Sequence, residues 1–158
     1  MIERERQRYD HEKDANKKVL ESFAGVDDQN RSDPRFQQAI DKFEHILLAR
    51  RFWMARVTAQ DPEKSDEGGK TLEQITLASG EVEKTWDAYL ATLDDARLRN
   101  RIDLLGADGK KRFCTLGEAL LHVYTHGFYH RGQIATLVKS LGAEPAVTDF
   151  IFFCRREG

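Results

Sequence analysis

Five histidines occur in the 158 residues, and three of them, His122, His126 and His130, fall four apart. On a helix that spacing projects side chains from one side, so His126 and His130 can turn imidazole nitrogens toward a common divalent ion. The same pair would also arise from ordinary core or surface histidines with no metal. A metal site of useful affinity wants a third ligand. His45 lies among Leu48, Ala49 and Phe52, whereas His11 lies among charged residues near the start. A histidine on an apolar face needs polar partners or a metal. Alone, His45 reads as a structural histidine; set against the facing pair, it is the best third ligand. Three neutral nitrogens on one ion leave at least one position for water or a substrate atom, the catalytic rather than the closed structural arrangement. Such a site lowers the pKa of a bound water or thiol and holds the anion ready to attack. Zinc and nickel suit imidazole, iron is a further candidate, and residue type does not separate them.

The neighbours of these histidines carry further expectations. Arg131, beside His130, is a candidate catalytic group that would bind a carboxylate or anion at the mouth of the site; an ordinary surface charge is the alternative. No acid stands out as a partner base, since Glu44 and Glu118 read as exposed helix charges. Gly127 falls between the two histidines, where glycine costs a helix about 1 kcal/mol relative to alanine. It is expected to leave room for a neighbouring helix or for the ion. Asn16 falls in an apolar stripe and is expected to hydrogen-bond across the interior.

These side chains need helices to position them. The first runs from about Glu3 to Ala24, with Gly25 as its C-cap and an inward stripe of Tyr9, Glu12 or Asn16, Val19 and Phe23. Asp33-Pro34 opens a second helix reaching about Ala59. Phe36, Ile40, Phe43, Leu47 and Met54 form one apolar face of it, and His45, Leu48, Ala49 and Phe52 a second. Two such faces predict the most buried helix. Gln60 to Lys70 reads as a loop, with Pro62, Ser65, Gly68 and Gly69. Thr71 to Gln74 forms a capping box ahead of the seam Leu72, Ile75, Ser79, Val82, Trp86, Tyr89 and Leu93. Arg101–Leu105 and Lys111–Cys114 flank Gly106-Ala107-Asp108-Gly109 as a small hairpin. Thr115 to Glu118 caps the last long helix, which ends near Gly142. Its expected seam is Leu116, Leu120, Val123, Gly127, His130, Ile134 and Leu137, with His126 on the shoulder and His122 toward solvent. Phe150 to Phe153 forms a short helix or extended segment packing its aromatics on the body. The fold class is therefore all-α: an up-and-down four-helix bundle with a small hairpin before the last long helix and a short C-terminal segment.

Residues 1–158 are the size of one domain, long enough to bury roughly 70% of the unfolded chain's surface without disulfide or metal. The chain carries 25 basic and 27 acidic residues, a formal net charge of −2. That balance gives no concentrated positive face for nucleic acid or anionic membrane. Cys114 and Cys154 lie far apart with no CxxC spacing, which favours a reduced compartment. The charged start Met1-Ile2-Glu3-Arg4 is no signal peptide, and no apolar stretch approaches a membrane span. Cytoplasmic localisation is the expectation.

The stretch His126-Gly127-Phe128-Tyr129-His130-Arg131-Gly132-Gln133 resembles the most recognisable motif of the DinB-like (DinB/YfiT) family, a histidine, three residues, then His-Arg-Gly-Gln. The likeness extends to Leu120-Leu121-His122-Val123, to Val147-Thr148-Asp149-Phe150-Ile151-Phe152, to Ala15-Asn16-Lys17, and to His45 followed at eight residues by Trp53. It implies a four-helix bundle, often a homodimer, with His45, His126 and His130 holding a divalent metal. It further implies an enzyme whose metal activates a low-molecular-weight thiol toward an electrophile, an S-transferase type of activity. Metal-dependent hydrolysis, and a non-catalytic metal-binding or structural dimer, are the alternatives. Asp10-His11-Glu12 departs from the pattern, because many relatives place an aromatic residue ahead of the Ala-Asn pair.

Overall fold

The computed structural model describes residues 1–62, 66–106 and 108–156. Ser65 of the expected loop and Ala107 of the expected turn lie outside them. Four long helices form: α1 (Ile2–Ala24), α2 (Pro34–Val57), α3 (Leu72–Ala91) and α4 (Leu116–Ser140). Between α3 and α4, β1 (Arg101–Leu105) pairs antiparallel with β2 (Lys111–Thr115), Ile102 facing Cys114 and Leu104 facing Arg112. A short helix α5 (Phe150–Cys154) closes the chain. The all-α bundle with its hairpin is the expected architecture.

Local chemistry sets the helix boundaries. Pro34 starts α2 at a position where a missing N–H costs nothing, and the Arg35 amide donates to the Asp33 carboxylate at 2.9 Å. Both capping boxes close. Gln74 N donates to Thr71 Oγ1 at 3.2 Å while Thr71 N donates to Gln74 Oε1 at 2.9 Å. At the start of α4, Thr115 N donates to Glu118 Oε2 at 2.7 Å, so Glu118 is exposed but spent as a cap. Gly25 is the C-cap of α1 as expected, and its φ of −77° is right-handed, so α1 ends without a left-handed turn.

The core runs through all four helices, with Val19 and Phe23 of α1, Phe43 and Leu47 of α2, Val82 and Trp86 of α3, and Leu120 and Ile134 of α4. The α2–α4 pair makes the most extensive helix contact, and both candidate halves of the metal site sit on it. Two expectations need correction. The second apolar face of α2 is only partly covered: His45 meets α4, while Leu48, Ala49 and the 41% exposed Phe52 line an open cavity. In α4 the buried face includes Tyr124, Arg131 and Val138, with His130 and Leu137 only half-buried. Leu116, Leu120, Val123, Gly127 and Ile134 of the expected seam are buried, and the inward face is wider than periodicity showed, taking Arg131 inside and leaving His130 at its edge.

Candidate metal centre

His45 from α2 and His126 and His130 from α4 each offer a ligand atom, all within 4.8 Å of one another. The spacing of four residues puts the two α4 rings side by side, with centroids 4.4 Å apart. The His45 ring approaches both, at 5.1 Å from His126 and 4.7 Å from His130. His130 Nε2 and His126 Nε2 face each other at 3.1 Å. Two imidazole nitrogens on one tetrahedral ion, each about 2.0–2.1 Å from it, would stand about 3.3 Å apart, so the observed separation suits a shared ion. His122, exposed as expected, leans on the Trp53 ring at 5.2 Å and lies 5.7 Å from His126, outside the trio.

Two of the remaining ring nitrogens have partners. His45 Nδ1 contacts Glu67 Oε1 at 2.6 Å, and His130 Nδ1 contacts Gln133 Oε1 at 3.0 Å. Each oxygen accepts from an Nδ1–H, which fixes the tautomer with its lone pair on Nε2, the form a metal needs. Burial, followed by the neighbouring histidines, lowers the His126 pKa from 6.5 to about 4. Burial likewise lowers that of His130, against the opposing pull of Gln133. Both shifts favour the neutral ring that a metal ligand must be. The donor set is three neutral nitrogens, which fits a divalent ion such as zinc or nickel with open positions.

A cavity of about 1210 Å³ opens beside the cluster between α2, α3 and α4, and His45, His122 and His126 line it. Its other walls include Phe52, Trp53 and Trp86, with Asp61, Asp66 and Glu81 among its polar residues. Both tryptophans of the chain therefore face the candidate site.

Arg131 does not stand at the mouth. It is 2% exposed, and its Nη1 donates to Glu12 Oε2 at 3.0 Å and to Asn16 Oδ1 at 3.1 Å, while its Nη2 pairs with Glu12 Oε1. Arg50 of α2 donates its Nη2 to Glu12 Oε2 from the other side. The expected anion-binding role fails because a guanidinium this deep has found its carboxylate inside the bundle. Burial alone would raise the Glu12 pKa, but the two arginines together hold it below its ordinary value. Gly127 serves the same cluster. A Cβ there would lie 2.7 Å from Glu12 Oε2 and 2.9 Å from Arg131 Nη1, so the glycine makes room for an ion pair rather than for the metal. Asn16 bonds across the interior as expected.

Several contributors were not expected. Glu44 is 5% exposed rather than a surface charge, and accepts from Gly68 N at 2.8 Å. Arg50 follows Phe43 and Leu47 at the helical step of the apolar face, a signal that would have placed it inside. His11 is 1% exposed, stacked on Phe128 and edged by Phe150 and Phe153, with its Nε2 donating to Thr148 O at 2.9 Å. It pins the C-terminal segment and takes no part in the metal group.

A helical bundle with three histidines converging from two helices defines a metal-binding class of protein. The family model described as DinB family matches residues 1–157, and the chain belongs to that family. No curated protein matches the sequence. Family membership and the histidine group together support a metal-dependent enzyme. Among the described residues no helix is long and apolar enough to cross a membrane.

Proposed function

We propose that this chain is a divalent-metal-dependent enzyme that joins a low-molecular-weight thiol to an electrophilic acceptor, with His45, His126 and His130 as the metal ligands. The observation that carries the reading is the three-histidine group, of which His45 and His126 line a large aromatic-walled cavity. A bound divalent ion would supply Lewis acidity, drawing a thiol's pKa down toward neutrality. In the reaction a sulfur–carbon bond forms, the acceptor's leaving group departs with its electron pair, and the thiol proton passes to solvent. His126 stays unprotonated and so available, and Phe52, Trp53 and Trp86 offer an apolar seat for the acceptor.

Thiol transfer is preferred to hydrolysis because a thiol needs less help than water, and the carboxylate hydrogen-bonded to the trio is already engaged. Attack by water profits from a general base within hydrogen-bond reach. Glu67, the carboxylate bonded to the trio, already accepts from His45. A thiol has a pKa of about 8.5, needs little further help, and is the stronger nucleophile. The test begins with metal analysis of protein purified without added metal, beside His126→Ala. The metal-loaded protein is then given a panel of thiols with an electrophilic acceptor, and separately simple esters and amides. Thiol-dependent turnover lost in His126→Ala is the expected result. Turnover of esters or amides with none of thiols would transfer the assignment to hydrolysis.

A further inference from the structure

Four polar residues along one edge of α2 grip four consecutive residues of the segment leading into α3. Gln37 Nε2 donates to Lys70 O at 3.1 Å, Gly69 N donates to Asp41 Oδ1 at 3.0 Å, and Gly68 N donates to Glu44 Oε2 at 2.8 Å. The last rung is His45 Nδ1 on Glu67 Oε1 at 2.6 Å. Residues 37, 41, 44 and 45 fall on one side of a helix, and they meet residues 70 to 67 in reverse order. The turn needs Gly68 and Gly69, whose φ values of +96° and +77° suit no ordinary L side chain. The segment is held at three places besides Glu67, so this carboxylate is presented to His45 by a built support rather than by a chance surface pairing.

We infer that Glu67 is the positioning residue of the metal centre, orienting His45 so that its other nitrogen faces His126 and His130. Glu67 stands outside the group whose ligand atoms lie within 4.8 Å of one another, so it acts through His45 and not as a fourth ligand. A carboxylate behind a ligating imidazole fixes the ring's tautomer and angle and raises its basicity as a ligand. The geometry also makes the segment a partner of the metal. Gln60, Asp61, Asp66 and Glu67 line the cavity, so what seats Glu67 on His45 also sets this wall. Affinity for the ion and docking of residues 66–70 are then linked, each strengthening the other by the same factor.

The inference rests on the trio binding a metal, and the experiment separates the two. Zn²⁺ affinity is measured by competition with a chromophoric chelator for wild type, Glu67→Ala, Glu67→Gln, Asp41→Ala and His126→Ala. Visible absorption of the Co²⁺-loaded proteins is recorded in parallel, and circular dichroism checks folding. Loss of Glu67 is expected to weaken Zn²⁺ binding about 10–100-fold and to shift the Co²⁺ bands. Glu67→Gln, which keeps an accepting oxygen, recovers part of that loss. Asp41→Ala, which loosens the same segment but leaves the carboxylate, loses less than Glu67→Ala. Wild-type binding with Glu67→Ala within twofold of it, or equal losses in Glu67→Ala and Asp41→Ala with unchanged Co²⁺ bands, would overturn the positioning role alone. No metal uptake by wild type would overturn both readings.

Discussion

Replacing Glu12 by glutamine probes the most concentrated charge in the bundle. The carboxylate side chain is 0% exposed and each arginine side chain on it 1% exposed, so none of the three can turn to solvent. The substitution keeps the shape and one accepting oxygen, but takes from two guanidiniums the carboxylate they share. Breaking a buried pair by removing one partner costs about 3–5 kcal/mol. The glutamine oxygen still satisfies one arginine, which argues for the middle of that range, about 4 kcal/mol. Total stability of a domain is about 5–15 kcal/mol, so the variant should fold but melt early. At about 2–4 °C per kcal/mol for this size, Tm should fall by about 8–16 °C. Urea unfolding should show a lower midpoint at unchanged slope, since the surface exposed on unfolding hardly changes. Adding Arg131→Met to Glu12→Gln should recover part of the loss by removing a stranded cation. A loss below about 1 kcal/mol, or a double variant less stable than the single one by the full cost of Arg131→Met, would refute the claim that Glu12 neutralises both arginines.

Two further outcomes follow from the same interior. Gly127→Ala should destabilise by up to about 2 kcal/mol in a urea titration, because overpacking costs about 1–3 kcal/mol against a helix-propensity gain of about 1 kcal/mol; a stabilised variant would show that the 2.7 Å contact with Glu12 relaxes freely. For metal-free protein, stability should decline as pH falls from about 6.5 toward 4. Burial lowers the folded-state pKa of His126, His130 and His11, so over that window the unfolded chain takes up protons the folded chain refuses. Denaturant unfolding at pH 7, 5.5 and 4.5 checks this, and His126→Ala should show a shallower decline; an equal slope in the variant would remove His126 from the effect.

The helices and caps were legible because capping boxes, a proline at the first turn and glycine-rich breaks act over a few residues. The trio of histidines was legible for a similar reason: a spacing of four is a local property of α4, and His45, on an apolar face of the second helix, was the best third ligand, which the family resemblance matched. What periodicity missed was the width of the buried face of α4, which holds Tyr124 and Arg131 as well as Val123 and Gly127. Placing Arg131 inside requires knowing that Glu12 waits on α1 with Arg50 opposite, a relation between residues far apart in sequence. The same limit hid Glu67. Nothing local to residues 66–70 says that α2 will hold them, since the rungs are short polar contacts with no apolar pattern. The cavity went unread because an apolar face looks the same in sequence whether a helix or a ligand covers it.

Glu12 braces the two helices that carry the candidate metal centre. Arg50 lies five residues beyond His45 on α2, and Arg131 follows His130 directly on α4, so each helix that offers a metal ligand also sends an arginine inward. One carboxylate from α1 ties those arginines together on the inner side of the α2–α4 pair. An ion on the three histidines would tie the same pair on the outer side. Burying one acid with two bases is a costly way to gain stability, since a well-packed apolar cluster of similar volume does as well or better. It does fix direction, because bidentate arginine geometry tolerates little rotation of either helix. A rotation of α4 by one residue would carry His126 and His130 about 100° round the helix and away from His45, as the helical repeat requires. The buried ion pair is thus best understood as what holds two helices in register, so that three imidazoles on their far side can meet at one point.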